Sequence, residues 1–121
     1  MNSGSGNKKL KRRIRELCGI AYEREMRRHL DALLNQFIEY GKGKITPWEM
    51  VDVIHKFHNE DARKLYIFYQ KPNEYVIAYA VSEKLIDLSD VPAQLQDEIS
   101  KSQDLFLIRA DGSPIHERPQ L

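Results

Sequence analysis

Apolar residues in the first third of the chain recur at helical spacing. Between Lys8 and about Tyr40 there is no proline, and the apolar positions follow one another at steps of three and four residues. Residues at this spacing share one face of a helix, so the pattern predicts a single long amphipathic helix. At about 1.5 Å per residue it would span roughly 50 Å, more than a compact domain of this mass requires. We therefore expect part of this helix to project or to pair with another chain.

The end of this helix and the start of the next are marked by particular residues. Gly41 and Gly43 can adopt the left-handed conformation that ends a helix at little steric cost. Shortly afterwards, Thr46 can cap a second helix, with Pro47 at its first position and Glu49 completing a capping box. These signals place the boundary between the two helices at residues 41–46.

The second helix is predicted to continue to about Gln70, with one interruption. Its apolar spacing is broken by the polar residues 58–61. Asn59 is a good N-cap, and the acidic residues after it would suit the first turn of a new helix. We therefore expect a kink near Asn59.

Residues 75–81 are compatible with either a strand or a helix. They are aromatic and partly β-branched, as a buried strand would be, but a four-residue apolar period also continues beyond them to Leu88. We favour the helix, because the apolar run exceeds a usual strand and Asn73 can cap its start. A short helix carrying Leu95 and Ile99 is expected next.

The carboxyl-terminal end has a different character. Leu105–Ile108 followed by Asp111 and Gly112 indicates a strand and a turn. The predicted fold class is mainly α: a small helical domain with a long N-terminal helix, a capped second helix and a short extended C-terminal segment. Residues 1–7 are assigned to a disordered tail and residues 8–121 to a single helical domain.

The near-neutral net charge of +1 conceals a strongly basic segment. Residues 8–28 hold nine basic and three acidic residues, a local charge of +6. Such a helix could bind nucleic-acid phosphates without reading sequence. The alternative is a solvated helix end, or pairing with the acidic segment that follows residue 86. The basic block consists of Lys8, Lys9, Lys11, Arg12, Arg13 and Arg15.

Two histidines form the candidate metal site. His55 and His58 are three residues apart and so share a helix face, and a carboxylate from Glu60 or Asp61 could complete a ligand set. This spacing differs from the His-Glu-x-x-His pattern, in which the histidines lie four residues apart. The alternative is that His55 lies beside the core while His58 forms a hydrogen bond at the kink.

The middle of the chain is dense in aromatic residues, which are useful at protein interfaces because they combine a large apolar body with a polar group. The alternative is an ordinary core with tyrosine hydroxyls at its edge. Residues 65–69 carry apolar side chains on more than one helix face, so this helix is either central or part of an interface. The candidate interface residues are Trp48, Tyr66, Phe68 and Tyr69.

The remaining sequence features limit the classes of function. No apolar run is long enough for a membrane span or signal peptide, and the single cysteine, Cys18, fits a cytoplasmic location. No catalytic constellation or nucleotide-binding fingerprint can be assembled, so neither an enzyme nor a cofactor is predicted. We expect a non-enzymatic protein-interaction or regulatory module that self-associates, most simply as a homodimer. The alternatives are nucleic-acid binding and a metal-dependent function.

Overall fold

The computed structural model describes residues 3–99, with side chains from Lys8 onwards, and this part of the chain is helical with no strand. It comprises five α-helices, with a π-helical segment between the second and the third and a 3-10 turn between the fourth and the fifth. Their bounds are α1 Ser3–Gly41, α2 Pro47–Lys56, the π segment Phe57–Ala62, α3 Arg63–Phe68, α4 Glu74–Ser82, the 3-10 turn Leu88–Asp90, and α5 over residues 93–99. The mainly α fold class and the long first helix are confirmed.

Helix α1 begins at Ser3, whereas the apolar spacing placed its start at Lys8. Adding residues to a helix that has already nucleated costs little free energy, so a start beyond the apolar stripe is physically reasonable. The predicted strand at Leu105–Ile108 and the turn at Asp111 and Gly112 lie outside the described residues.

Helix α1 ends in a Schellman motif. Gly43 has a φ of 78°, its backbone N–H donates to Tyr40 (2.9 Å), and the N–H of Lys44 donates to Glu39 (3.0 Å). Carbonyl groups in the last turn of a helix have no partner four residues later within the helix, and these hydrogen bonds help to satisfy them. Of the two predicted glycines, Gly43 adopts the left-handed conformation, and Gly41 is the last residue of the helix.

Helix α2 begins at the predicted capping box. The backbone N–H of Glu49 donates to the Thr46 hydroxyl (3.1 Å), and the Thr46 N–H donates to the Glu49 carboxylate (2.8 Å). Pro47 occupies the first turn, where its missing N–H loses no hydrogen bond. The start of α2 is therefore held by several independent restraints.

The polar interruption in the second helix is a π-helical segment rather than a new helix start. Residues Phe57–Ala62 adopt π-helical geometry, and the helical backbone continues through them into α3 without a side-chain cap. The prediction that Asn59 caps a fresh helix is wrong. A π-helical turn absorbs the irregularity while keeping the backbone hydrogen-bonded, so no cap is required.

Helix α4 confirms the helical interpretation of residues 75–81. Asn73 is its N-cap, and the Asn73 side chain accepts a hydrogen bond from the N–H of Val76 (3.0 Å). The helix ends in a second Schellman motif, in which the N–H of Leu85 donates to Ala80 (2.9 Å). At the left-handed position of this motif stands Lys84, with a φ of 61°, rather than glycine.

Replacing Lys84 with glycine should raise the free energy of unfolding by about 0.5–1 kcal/mol, because the left-handed conformation strains any residue with a Cβ. Urea unfolding followed by circular dichroism would measure the change. The matched control is Lys42→Gly, another exposed lysine at a helix end whose φ is not positive, where glycine should destabilise. Equal effects of the two substitutions would contradict the strain argument.

The hydrophobic core lies at one end of the molecule, which we call the base. There the first half of α1 packs against the end of α3, all of α4 and the segment up to Ile99. The second half of α1 packs against α2, and within residues 29–56 only Met50 is buried. We call this two-helix extension, residues 29–41 and Pro47–Lys56, the arm. The second half of α1 therefore extends beyond the core of the base.

Candidate interaction surface

The arm exposes an unusual amount of apolar surface. Its two helices form a hairpin with no third layer, so each has an apolar face without a packing partner in the described part of the chain. Amphipathic helices normally bury this face. The large apolar side chains of the arm that are more than a third exposed are Leu30, Leu34, Phe37, Ile38, Tyr40, Trp48, Val51 and Ile54.

The α1 side of the arm carries a heptad-like spacing. Its apolar positions lie four, three, four and three residues apart, the spacing at which side chains form the seam of a coiled coil. Leu33 lines the groove between α1 and α2, whereas the exposed residues of the stripe are available to a helix from outside the hairpin. The positions of this stripe are Met26, Leu30, Leu33, Phe37 and Tyr40.

The apolar stripe of α1 and the exposed apolar residues of α2 lie on the same side of the arm. Met26 of α1 and His58 of the π segment line one groove, so they mark a common side. Leu30 and Phe37 belong to the stripe that contains Met26. Val51 and Ile54 share a helix face with His58 at steps of three and four residues. The two stripes therefore face the same side of the arm.

The groove itself lies where the arm joins the base. It is open, its volume is about 540 Å³, and its walls come from α1, the π segment and α3. Most of the lining is aromatic or aliphatic, and Arg63 supplies a cation at its edge. The apolar and aromatic residues that line it are Tyr22, Met26, Ala62, Tyr66 and Ile67.

The structure divides the four predicted interface residues into two groups. Trp48 is 83% exposed and Tyr66 is 57% exposed, so both are available to a partner. Tyr69 is buried in the core, and Phe68 packs partly against that core. The Phe68 ring contacts the rings of Tyr69 and Tyr79 edge to face at centroid distances of 5.0 and 4.8 Å. Only the first pair contributes to the exposed surface.

Several arginines of α1 hold the end of α4 and the loop after it. Arg24 donates to the carbonyl of Leu85 (2.7 Å), and Arg28 donates to the carbonyl of Glu83 (3.0 Å). Carbonyl groups at the end of a helix carry partial negative charge, so a guanidinium is a suitable partner. These basic residues have a structural role that charge counting could not show.

The basic block itself is mostly exposed. Arg13 is the exception: it pairs with Glu16 (3.3 Å) and donates to the carbonyl of Asp90 (3.4 Å). The remaining five members point to solvent. Nucleic-acid binding at this end of α1 stays a prediction. The exposed members are Lys8, Lys9, Lys11, Arg12 and Arg15.

The candidate metal site at His55 and His58 stays a prediction. Both His55 and His58 are exposed, and His58 lines the groove described above. No group of three metal-ligating side chains comes together between residues 3 and 99. The third ligand that a zinc site in this part of the chain would need is therefore missing there.

A buried carboxylate lies at the centre of the base. Glu25 is only 2% exposed, and the hydroxyl groups of Tyr69 and Tyr79 donate to its two carboxylate oxygens at 2.8 Å each. A buried charge is tolerated when hydrogen bonds replace its hydration. Burial and the neighbouring carboxylate both raise the pKa of Tyr69 above its ordinary value. Local spacing does not predict this cluster, although Glu25 continues the buried stripe four residues after Ala21.

Cys18 is a buried thiol beside this cluster. Burial raises its pKa to about 11, and a hydrogen bond from the Asn73 backbone lowers it by a smaller amount. The thiol therefore stays protonated at neutral pH and is a poor nucleophile. Cys18 behaves as a small apolar core residue.

Comparison with known proteins does not assign a family. The chain matches no protein-family model, no curated protein and no solved structure. Within residues 3–99, no helix is long and apolar enough to cross a membrane. Any statement of function must therefore come from the geometry of the described residues.

Proposed function

We propose that this protein is a protein-interaction module that self-associates through the apolar surface of the arm. The observation that carries this proposal is a two-helix hairpin with eight large exposed apolar side chains and one buried residue, Met50. Large contiguous apolar patches on a protein surface mark interaction sites. A second copy of the chain offers the same surface and so satisfies both partners at once.

The size of the surface suits a stable contact. Large side chains present on the order of 150–250 Å² each when fully exposed. Leu34 and Ile38 lie beside the stripe, and the other six partly exposed residues together offer on the order of 600 Å². A standard protein interface buries about 800 Å² on each partner. The arm therefore carries most of the apolar area that one complete interface requires.

Sedimentation equilibrium over a wide range of protein concentration tests the proposal. We expect a dimer, and we expect Leu30→Glu to raise its dissociation constant by roughly 100-fold, because each interface would gain a desolvated carboxylate. Ile20→Glu is the matched control: Ile20 is on the same helix and 37% exposed against 46% for Leu30, but it lies outside the arm. A wild-type protein that stays monomeric at high concentration would refute self-association.

A further inference from the structure

Trp48 and the groove lie at opposite ends of the arm, an arrangement that suits an antiparallel dimer. Trp48 follows Pro47 at the tip of the arm, where the capping box holds the helix start in place. Its side chain is 83% exposed, the largest exposed fraction among the big apolar residues of the described chain. A large aromatic residue on a rigid support is typical of an anchor at a protein interface.

The height of Trp48 along the arm follows from the pairing of the two helices. Helix α1 ends at Gly41 and α2 begins at Pro47 after a short connection, so these two residues lie at about the same level. The helices run antiparallel, and Trp48 is one residue after Pro47. Trp48 therefore lies about level with Tyr40 of α1.

The heptad-like stripe permits an antiparallel register between two copies that brings Trp48 to the level of the groove. Antiparallel coiled-coil packing would place Leu30 opposite Leu33 and Met26 opposite Phe37 of the second copy. In this register, Trp48 of one copy, level with its own Tyr40, lies opposite residue 23 of the other copy, which is between Tyr22 and Met26. These are the α1 residues that line the groove at the base of the arm.

The distribution of charge favours the antiparallel over the parallel orientation. A parallel pairing would place two segments of charge +6, residues 8–28, side by side. An antiparallel pairing centred between Leu30 and Leu33 separates the two Arg15 side chains by about 50 Å along the helix axes. This separation is several times the screening length of about 8 Å at physiological salt.

Resting on the self-association proposed above, we infer that Trp48 at the tip of each arm inserts into the groove of a second copy, so that the arms pair antiparallel as a four-helix bundle. The aromatic and aliphatic lining would receive the apolar part of the indole, and Arg63 at the groove edge would contact its ring face. Two identical contacts of this kind would form about the two-fold axis. The basic ends of α1 would then point in opposite directions.

The single tryptophan of the chain provides a direct readout. Emission from Trp48 should shift to shorter wavelength as protein concentration rises, over the same range in which sedimentation shows the dimer forming. Ile67→Glu, which changes the groove, should weaken the dimer roughly 100-fold and keep the emission at that of an exposed indole. Ile20→Glu, whose native side chain is 37% exposed against 38% for Ile67, should change the dissociation constant less than about 3-fold.

Trp48→Ala keeps the test decisive if Ile67→Glu fails to fold. Trp48 is exposed in the protomer, so this variant should fold normally and still lose dimer affinity by at least roughly 10-fold. A dimer unaffected by both groove and tryptophan variants would overturn the antiparallel inference while leaving the proposed function intact. A monomer whose emission does not change with concentration would refute both, including the case in which the chain's own C-terminal segment fills the groove.

Discussion

Replacing Tyr79 with phenylalanine should lower the free energy of unfolding by about 2–3 kcal/mol. The substitution removes the hydroxyl that donates to one oxygen of the buried Glu25 carboxylate and changes little else in the core. Hydrogen bonds to charged groups contribute about 1.5–3 kcal/mol, and loss of a partner inside a protein is at the upper end because water cannot replace it. Chemical denaturation monitored by circular dichroism would measure the loss.

The paired variant Tyr69→Phe makes this a test of the cluster. Both tyrosines donate to the same carboxylate, so the effects of the two substitutions should be coupled by at least about 0.5 kcal/mol in a double-mutant cycle. Tyr40→Phe, at a tyrosine 40% exposed in the arm, should change stability by less than about 0.5 kcal/mol. Tyr79→Phe with a cost as small as that control would contradict the geometry at Glu25.

Replacing Leu17 with alanine should lower the free energy of unfolding by about 3–5 kcal/mol. Leu17 is 1% exposed and belongs to the core of the base, so its removal leaves a cavity as well as losing buried apolar area. Thermal and chemical unfolding at low protein concentration would measure the change without a contribution from dimer formation.

Leu34→Ala is the matched control for this substitution, because it makes the same chemical change on the same helix at a side chain that is 57% exposed. At low concentration its cost should stay below about 1 kcal/mol. If the arms pair, the stability cost of Leu34→Ala should increase with protein concentration. The cost of Leu17→Ala should already be much larger than that of Leu34→Ala at low concentration. Equal stability costs for the two variants at low concentration would contradict the assignment of Leu17 to the core and of Leu34 to the exposed arm.

Much of the fold follows from local signals. The capping box at Thr46 and Glu49 satisfies helix-end groups within three residues, so its chemistry can be identified without tertiary structure. The same holds for Asn73 at the start of α4. The length of α1 follows from its apolar spacing. Such elements could be predicted because their stabilising interactions are close in sequence.

The hydrogen bonds within the base could not be predicted in the same way. Tyr69 and Tyr79 meet Glu25 across 44 and 54 residues of sequence, and no local pattern specifies such a meeting. The arginines that hold the end of α4 are similar, since Arg24 finds its acceptor 61 residues away. A basic residue looks the same in sequence whether it contacts solvent, phosphate or a distant carbonyl group. The apolar surface of the arm was foreseen only in outline, from the excess length of α1.

The π-helical segment determines how the two ends of the second helix are oriented. It allows Val51 and Ile54 to face outward on the arm while Leu65 and Tyr69, farther along the same continuous backbone, face the core. Each α-helical residue turns the chain by about 100°, so loss of one residue within Phe57–Ala62 would rotate the two ends relative to one another by about that amount. A chain shortened there could bury Leu65 and Tyr69 in the core or keep Val51 and Ile54 on the outer face of the arm, but it could not do both. Insertions and deletions in this segment are therefore far less tolerable than substitutions of its exposed side chains.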